Sequence, residues 1–226
     1  MAAIVRCERY GPDALLLRFA EATGDAAFRI GCAIIEEIER NPPVGLIEWV
    51  PGFTTMLLRF RPEQRNLSAL GRGLTDRLVG LHKSQIPDEP PKEIPVVYDG
   101  EDLESLAEEK KLSIADVIRL HSEPIYKVYF LGFAPGFPYL GELNPILHTP
   151  RRHTPRPFVS AGSVAIGGEH TGVYPVDSPG GWHVIGHTST PMFDHEGLTE
   201  MSRPEELFFL KPGDRLRFVP ISRGEP

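Results

Sequence analysis

Between Tyr129 and Asp194, glycine and proline interrupt the chain every few residues. Short β-branched runs such as Ser163–Ile166 and His183–Ile185 stand between the breaks. That mixture predicts short strands joined by rigid, specified turns. The segment is also locally basic. It holds Arg151, Arg152 and Arg156, and from His148 to His187 it holds five of the eight histidines against two acids, Glu169 and Asp177. The whole chain has a formal charge of −7, so this region runs against the global balance. A rigid basic loop region implies an anionic ligand or an acidic partner. Ordinary turns of a glycine-rich barrel are the alternative.

Upstream, the order strand, strand, helix occurs twice. Ile4–Tyr10 and Ala14–Phe19 read as strands about a Gly11-Pro12-Asp13 turn. Asp25–Arg40 reads as a helix, with Ala27, Ile30, Ile34 and Ile38 on one stripe and Glu36, Glu37 and Glu39 off it. Leu46–Val50 and Thr54–Phe60 flank Pro51-Gly52. A second helix is expected over about Pro62–His82, striped by Leu67, Leu70, Leu74, Leu78 and Leu81. Gly71 and Gly73 within it predict close helix packing. Such an order lays two helices on one face of an antiparallel sheet, so residues 1–83 are expected to form an α+β N-terminal domain.

Pro87, Pro90 and Pro91 make 84–93 an extended linker. Residues 94–226 are then the second domain. Ile94–Tyr98 is its first strand, short helices follow near Glu101–Lys111 and Ser113–Ser122, and Arg215–Pro220 closes it. Ser113 with Asp116 resembles a capping box. Many short strands with specified turns predict a β-barrel.

Composition narrows the function classes. A chain of 226 residues that is 41% hydrophobic can build real cores. No apolar run approaches the roughly 18 residues that span a membrane, and charge enters too early at the N-terminus for a signal peptide. The acidic balance argues against nonspecific nucleic-acid binding. Cys7 and Cys32 are the only cysteines and read as structural thiols in a reducing cytoplasm.

Several residues carry candidate chemistry. Pro150, Pro155 and Pro157 restrict the backbone around the three arginines. A guanidinium held this way takes a carboxylate or phosphate with two parallel hydrogen bonds. Arg152 and Arg156 are the first candidates for an anionic ligand, and pairing with acids across an intermolecular interface is the alternative. His183 and His187 have the spacing of a metal pair. Along a strand, however, four residues span about 13 Å, so no shared metal is expected. Either histidine is a candidate acid or base. Phe133, Phe137, Tyr139, Tyr174 and Trp182 line a pocket or fill the barrel. Ser160, Ser163 and Ser178 are possible nucleophiles, but none lies in G-x-S-x-G. No GxxxxGK[ST] occurs, and Gly167–Gly172 has no lysine to reach phosphates, so the chain has no recognisable nucleotide motif of its own.

The motifs GFAPGFPYL (Gly132–Leu140), PRRHTPR (Pro150–Arg156), AGSVAIGG (Ala161–Gly168), TGVYP (Thr171–Pro175) and SPGGWHVIGHT (Ser178–Thr188) resemble, in order and spacing, the KipI family. This family is also called allophanate hydrolase subunit 1 and includes the B component of ATP-dependent 5-oxoprolinases. The likeness continues more weakly through VPGFTTMLLRF and LKPGDRLRFVPI. Ser160 stands where the family usually has proline, and His183 and His187 stand where arginine is common. The resemblance implies a cyclophilin-like β-barrel for residues 94–226.

The activity it implies is ATP-dependent opening of 5-oxo-L-proline to L-glutamate in a complex with a KipA-like C component and a LamB/YcsF-like A component. ATP with magnesium serves the assembled complex, and no cofactor is evident for this chain alone. A lactam is a poor electrophile. Phosphorylating its carbonyl oxygen creates a leaving group, and preorganised arginines suit the charge that develops. Combined with the residue reading, this gives Arg152, Arg156 and His183 as catalytic. It gives Arg151, Tyr139, Ser163, Tyr174, Ser178, Trp182 and His187 as substrate-binding. A second class of function stays open within the same family: inhibition of a sensor histidine kinase by docking on its helical dimerisation region. A component of an enzyme acting on urea or allophanate is a third.

Overall fold

A computed structural model describes residues 6–64, 66–81, 89–141, 143–194 and 207–223. The chain divides into two compact units, Met1–Pro87 and Asp88–Pro226. No helix of the described residues is long and apolar enough to cross a membrane.

In the first unit, β1 (Arg6–Tyr10), β2 (Ala14–Arg18), β3 (Leu46–Pro51) and β4 (Thr55–Phe60) form an antiparallel sheet in the order β1-β2-β4-β3. Side chains alternate across a strand. Leu15 and Leu17 of β2 and Met56, Leu58 and Phe60 of β4 therefore share one face. There they join Ile30, Ile34 and Ile38 of α1 (Asp25–Arg40) and Leu67, Leu74 and Leu78 of α2 (Leu67–Leu78) in one buried cluster. Both helices thus cover one face of the sheet.

The second helix is shorter than its leucine stripe predicts. Asn66 caps it, its side-chain oxygen accepting the Ala69 amide at 3.2 Å, so the chain from Pro62 to Gln64 turns instead of winding. The glycines also differ from expectation. A Cβ on Gly71 would sit 3.1 Å from the Cys7 sulfur, so the close approach is between helix and strand β1, and Gly73 faces open space.

The second unit begins with β5 (Lys92–Val96), which already includes the last two residues of the expected linker. Residues 84–88 of that linker lie outside the described residues. Helices α3 (Leu103–Lys110) and α4 (Ile114–Ser122) follow. The Ser113 hydroxyl caps α4 by accepting the Asp116 amide at 3.1 Å, as its sequence predicts. Then come β6 (Tyr126–Leu131), β7 (Pro138–Gly141), β8 (Arg156–Val159), β9 (Ser163–Gly167), β10 (His170–Val173), β11 (Ser178–Gly180), β12 (His183–His187) and β13 (Arg215–Pro220).

Strands β8 and β11 pair as a separate ribbon, and the others form a seven-stranded sheet in the order β12-β9-β10-β7-β6-β13-β5. It is antiparallel except for the parallel pair β13–β5. Its two ends meet. Val97, just past β5, exchanges two backbone hydrogen bonds of 2.9 Å with His187 of β12. A Cβ on Gly186 would lie 2.5 Å from the Val97 carbonyl oxygen, so only glycine permits this seam. The mixed sheet is thereby a nearly closed barrel.

The barrel wall is buried on both sides near the seam. Val164 and Ile166 of β9 and Ile185 of β12 face the main core with Val128, Leu216 and Phe218. Their neighbours Ala165 and Val184 point the other way, into a smaller cluster with Phe137, Val159, Tyr174 and Trp182. This explains why β9 is buried at every position, and apolar after Ser163, where an ordinary surface strand would alternate.

Candidate functional site

A pocket of about 180 Å³ opens on that outer cluster. Its walls include Phe133, Tyr139, Arg151, Arg152, Tyr174 and Trp182. Five of these are expected as site residues from sequence, and they come from four separate motifs. The question of pocket or core resolves as both. Phe137, Tyr174 and Trp182 are only 2%, 2% and 5% exposed, yet one side of each lines the cavity. Their rings meet edge to face, with Phe137 5.3 Å from both Tyr174 and Trp182. Such edge-to-face packing fixes ring orientation. The indole lies flush on the strand beneath it, because a Cβ on Gly167 would fall 2.5 Å from the Trp182 ring. Burial pushes the Tyr174 hydroxyl up, more than the backbone hydrogen bond at Trp182 and the nearby arginines pull it down, so it stays protonated.

The three arginines divide into two kinds. Arg156 is 15% exposed and its fork is occupied within its own unit. Its Nη1 and Nη2 donate to the two carboxylate oxygens of Asp102 at 2.9 and 2.7 Å, and its Nε reaches Glu101 at 2.8 Å. Arg152 donates to the same carboxylate from Nη1 at 2.9 Å. Asp102 also accepts the Val184 amide at 2.7 Å. Burial alone would raise the Asp102 pKa. The Arg156 and Val184 hydrogen bonds, with the charges of Arg156 and Arg152, outweigh it and hold the carboxyl below its usual range.

From sequence, these two arginines are either ligand contacts or intermolecular pairs. Their partner is an acid of the same chain, 50 residues upstream for Arg152; the loop lies at the surface as expected, with Arg151, His153, Thr154 and Pro155 exposed, while Arg152 and Arg156 turn in to Asp102 as a latch. Arg152 still lines the pocket, and its Nε is buried with no hydrogen-bond partner among the described residues. Arg151 is exposed. Its guanidinium stands 5.9 Å from the Trp182 ring centre and makes no hydrogen bond or ion pair with a described residue.

The other expected site residues lie outside the pocket. His183 and His187 occupy opposite ends of β12, as a strand reading has them. His183 Nε2 bonds the Pro150 carbonyl at 3.0 Å, and His187 Nδ1 bonds Asp99 at 2.7 Å. Ser163 is buried at the start of β9. Ser178 opens β11, and its hydroxyl is buried without a partner among the described residues.

Sequence reasoning misses His121. It is fully buried in the barrel, and Tyr98 and Thr171 bond its two ring nitrogens at 2.7 and 2.8 Å. Thr171 gives its single hydroxyl proton to the Ala165 carbonyl at 3.0 Å, so it must accept from Nε2–H. Burial holds the His121 pKa down to about 3, so the ring is neutral and its Nδ1 accepts from the Tyr98 hydroxyl. The available signal is position: His121 follows Val117 by four on the buried stripe of α4.

The chain matches the carboxyltransferase domain, subdomain C and D, over residues 5–202. It is 42% identical over 224 residues to the 5-oxoprolinase B subunit of Escherichia coli O157:H7, covering 97% of each chain. It is 36% identical over 240 residues to that of Bacillus subtilis (strain 168), covering 100% of this chain and 96% of the relative. The solved structure of TTHA0988 superposes with a TM-score of 0.76 at 39% identity, over 94% of this chain and 41% of that one. A carboxyltransferase-type chain, matched across both units, is thus the class. Within it, the chain belongs to the family of 5-oxoprolinase B subunits.

Proposed function

We propose that this chain is the B component of an ATP-dependent 5-oxoprolinase, opening 5-oxo-L-proline to L-glutamate together with a KipA-like C component and a LamB/YcsF-like A component. The observation that carries the reading is the end-to-end match to 5-oxoprolinase B subunits, 97% of both chains in the Escherichia coli case. In this reading the second unit is a cyclophilin-like barrel, and the protein works in the cytoplasm, where its thiols stay reduced.

The chain is non-autonomous. ATP and magnesium are assigned to the assembled complex, since the sequence of this chain carries no phosphate-loop motif. What this chain supplies is a small, partly aromatic pocket with two arginines on its wall.

Coexpression with the cognate A and C proteins tests the proposal. The complex is expected to release glutamate from 5-oxo-L-proline with ATP, and the isolated chain to hydrolyse neither. A complete complex without glutamate release, or robust turnover by the chain alone, would overturn it. In the first case the kinase-inhibitor class returns.

A further inference from the structure

We infer that the aromatic pocket takes a small ring bearing one carboxylate, with the carboxylate on Arg151 and the ring against Phe133. The inference deepens the proposed function and rests on it for the identity of the ring. It corrects the ranking that sequence gives, where Arg152 and Arg156 come first.

Four observations converge. Arg156 and one edge of Arg152 are already engaged by Asp102, so neither presents a whole fork to a ligand. Arg151 does, since its guanidinium is unpaired among the described residues and braced over Trp182. A guanidinium within cation–π reach of an indole can still offer its planar fork to a carboxylate through two parallel hydrogen bonds. Arg152 lies on the same wall, but its Nε is buried and its Nη1 is held by Asp102, which leaves Arg151 as the accessible fork.

Phe133 supplies the fourth. Its φ is +69°, a conformation bulky residues avoid, and its ring is 63% exposed. Neither the backbone nor the hydrophobic effect favours a phenylalanine there. Its ring stands at the pocket, 5.4 Å from Phe137 and 6.2 Å from Tyr174. Strain kept at a pocket mouth is expected where the side chain serves a ligand. The volume, about 180 Å³, suits a small ring.

The test uses the assembled three-component complex and the KM for 5-oxo-L-proline. Arg151→Ala is expected to raise KM by about tenfold to a hundredfold, since a charge-assisted hydrogen bond is lost, with kcat changed far less. Arg151→Lys restores part of it. Phe133→Ala raises KM severalfold, and Phe133→Tyr, which keeps the ring, leaves it near the wild-type value. Both positions are exposed, and thermal unfolding of each variant checks that the fold is kept.

If the complex turns over 5-oxo-L-proline while Arg151→Ala and Phe133→Ala keep the wild-type KM, the inference is overturned and the proposed function stands. Where no turnover is found, Trp182 fluorescence of the chain in a Trp49→Phe background decides. Cyclopentanecarboxylate should change the emission through Arg151, and 2-pyrrolidinone, which lacks the carboxylate, should not. That response without turnover upholds the pocket and removes the oxoprolinase reading. Its absence removes both.

Discussion

The two units of this chain bury different things. Among the described residues, the first unit hides only apolar side chains in its core, such as Leu15, Ile34 and Phe60. The second closes over Asp102, His121, Thr149, Ser163, Thr171, Thr188 and Asp214 as well. The units differ in backbone too. Positive φ in the first is confined to glycines among the described residues, while in the second Lys111 and Phe133 also adopt it. An apolar core needs the right volume and pattern. A buried polar core needs each partner placed within tenths of an ångström by elements far apart in sequence, and it penalises misplacement heavily. The second unit therefore has the more exacting architecture, and the arginine-lined pocket sits on it.

The sharpest way to break this contrast is Asp102→Ala. It strips the carboxylate from Arg152 and Arg156 and leaves buried positive charge. Removing one partner of a buried ion pair costs about 3–5 kcal/mol. Urea unfolding read by Trp182, with Trp49 replaced by phenylalanine, measures it. A loss below about 1 kcal/mol would show that the latch is solvated and that the second core is no more exacting than the first.

A smaller effect separates the units by pH. His121 has a folded pKa of about 3, whereas an unfolded histidine titrates near 6.5. Between these values the unfolded chain binds a proton that the folded one refuses, so stability falls as pH falls. The slope approaches roughly 1.4 kcal/mol per pH unit. The Asp102 carboxyl, held low, adds to the loss below about pH 4. In the first unit the perturbed group is Cys7, which burial, helped by Glu8, raises to about 11. Its neutral form is favoured in the fold, so that contribution is lost as pH rises from about 9 towards 11. Acid titration of the Trp182 and Trp49 signals, each in the other's phenylalanine background, should show the acid limb on the Trp182 signal. A flat Trp182 profile from about pH 6.5 to 4 would mean that His121 is hydrated.

The smallest effect isolates strain. Phe133→Gly and Phe133→Ala both remove the ring, but only glycine is at ease at φ +69°. The glycine variant should be the more stable by about 1 kcal/mol in thermal unfolding. Equal stability would mean the turn relaxes and carries no strain.

Local pattern makes much of this legible. Helix Asp25–Arg40 and strand Arg215–Pro220 have the bounds that their stripes and runs predict. Both are set by neighbours along the chain. The aromatic residues of the pocket can be named because their motifs are dense in turns. What sequence does not reveal is long-range. Nothing near Asp102 announces arginines 50 and 54 positions on: PRRHTPR is the solvent-facing loop it looks like, except that Arg152 and Arg156 turn in to Asp102. His121 is hidden differently, as a polar residue on an apolar stripe whose partners, Tyr98 and Thr171, lie on other elements.

The Val97–His187 seam also bears on how this chain meets others. A sheet whose ends hydrogen-bond to each other presents no unpaired ladder along the bridged stretch, so it resists strand addition there. The four-stranded sheet of the first unit is open at β1 and β3. Strand β1 guards its edge with Arg6, Glu8 and Arg9, and β3 ends in Pro51, which cannot donate. A foreign strand thus meets closure at one sheet and charge or proline at the other, and the short β8–β11 ribbon carries a proline in each strand, Pro157 and Pro179.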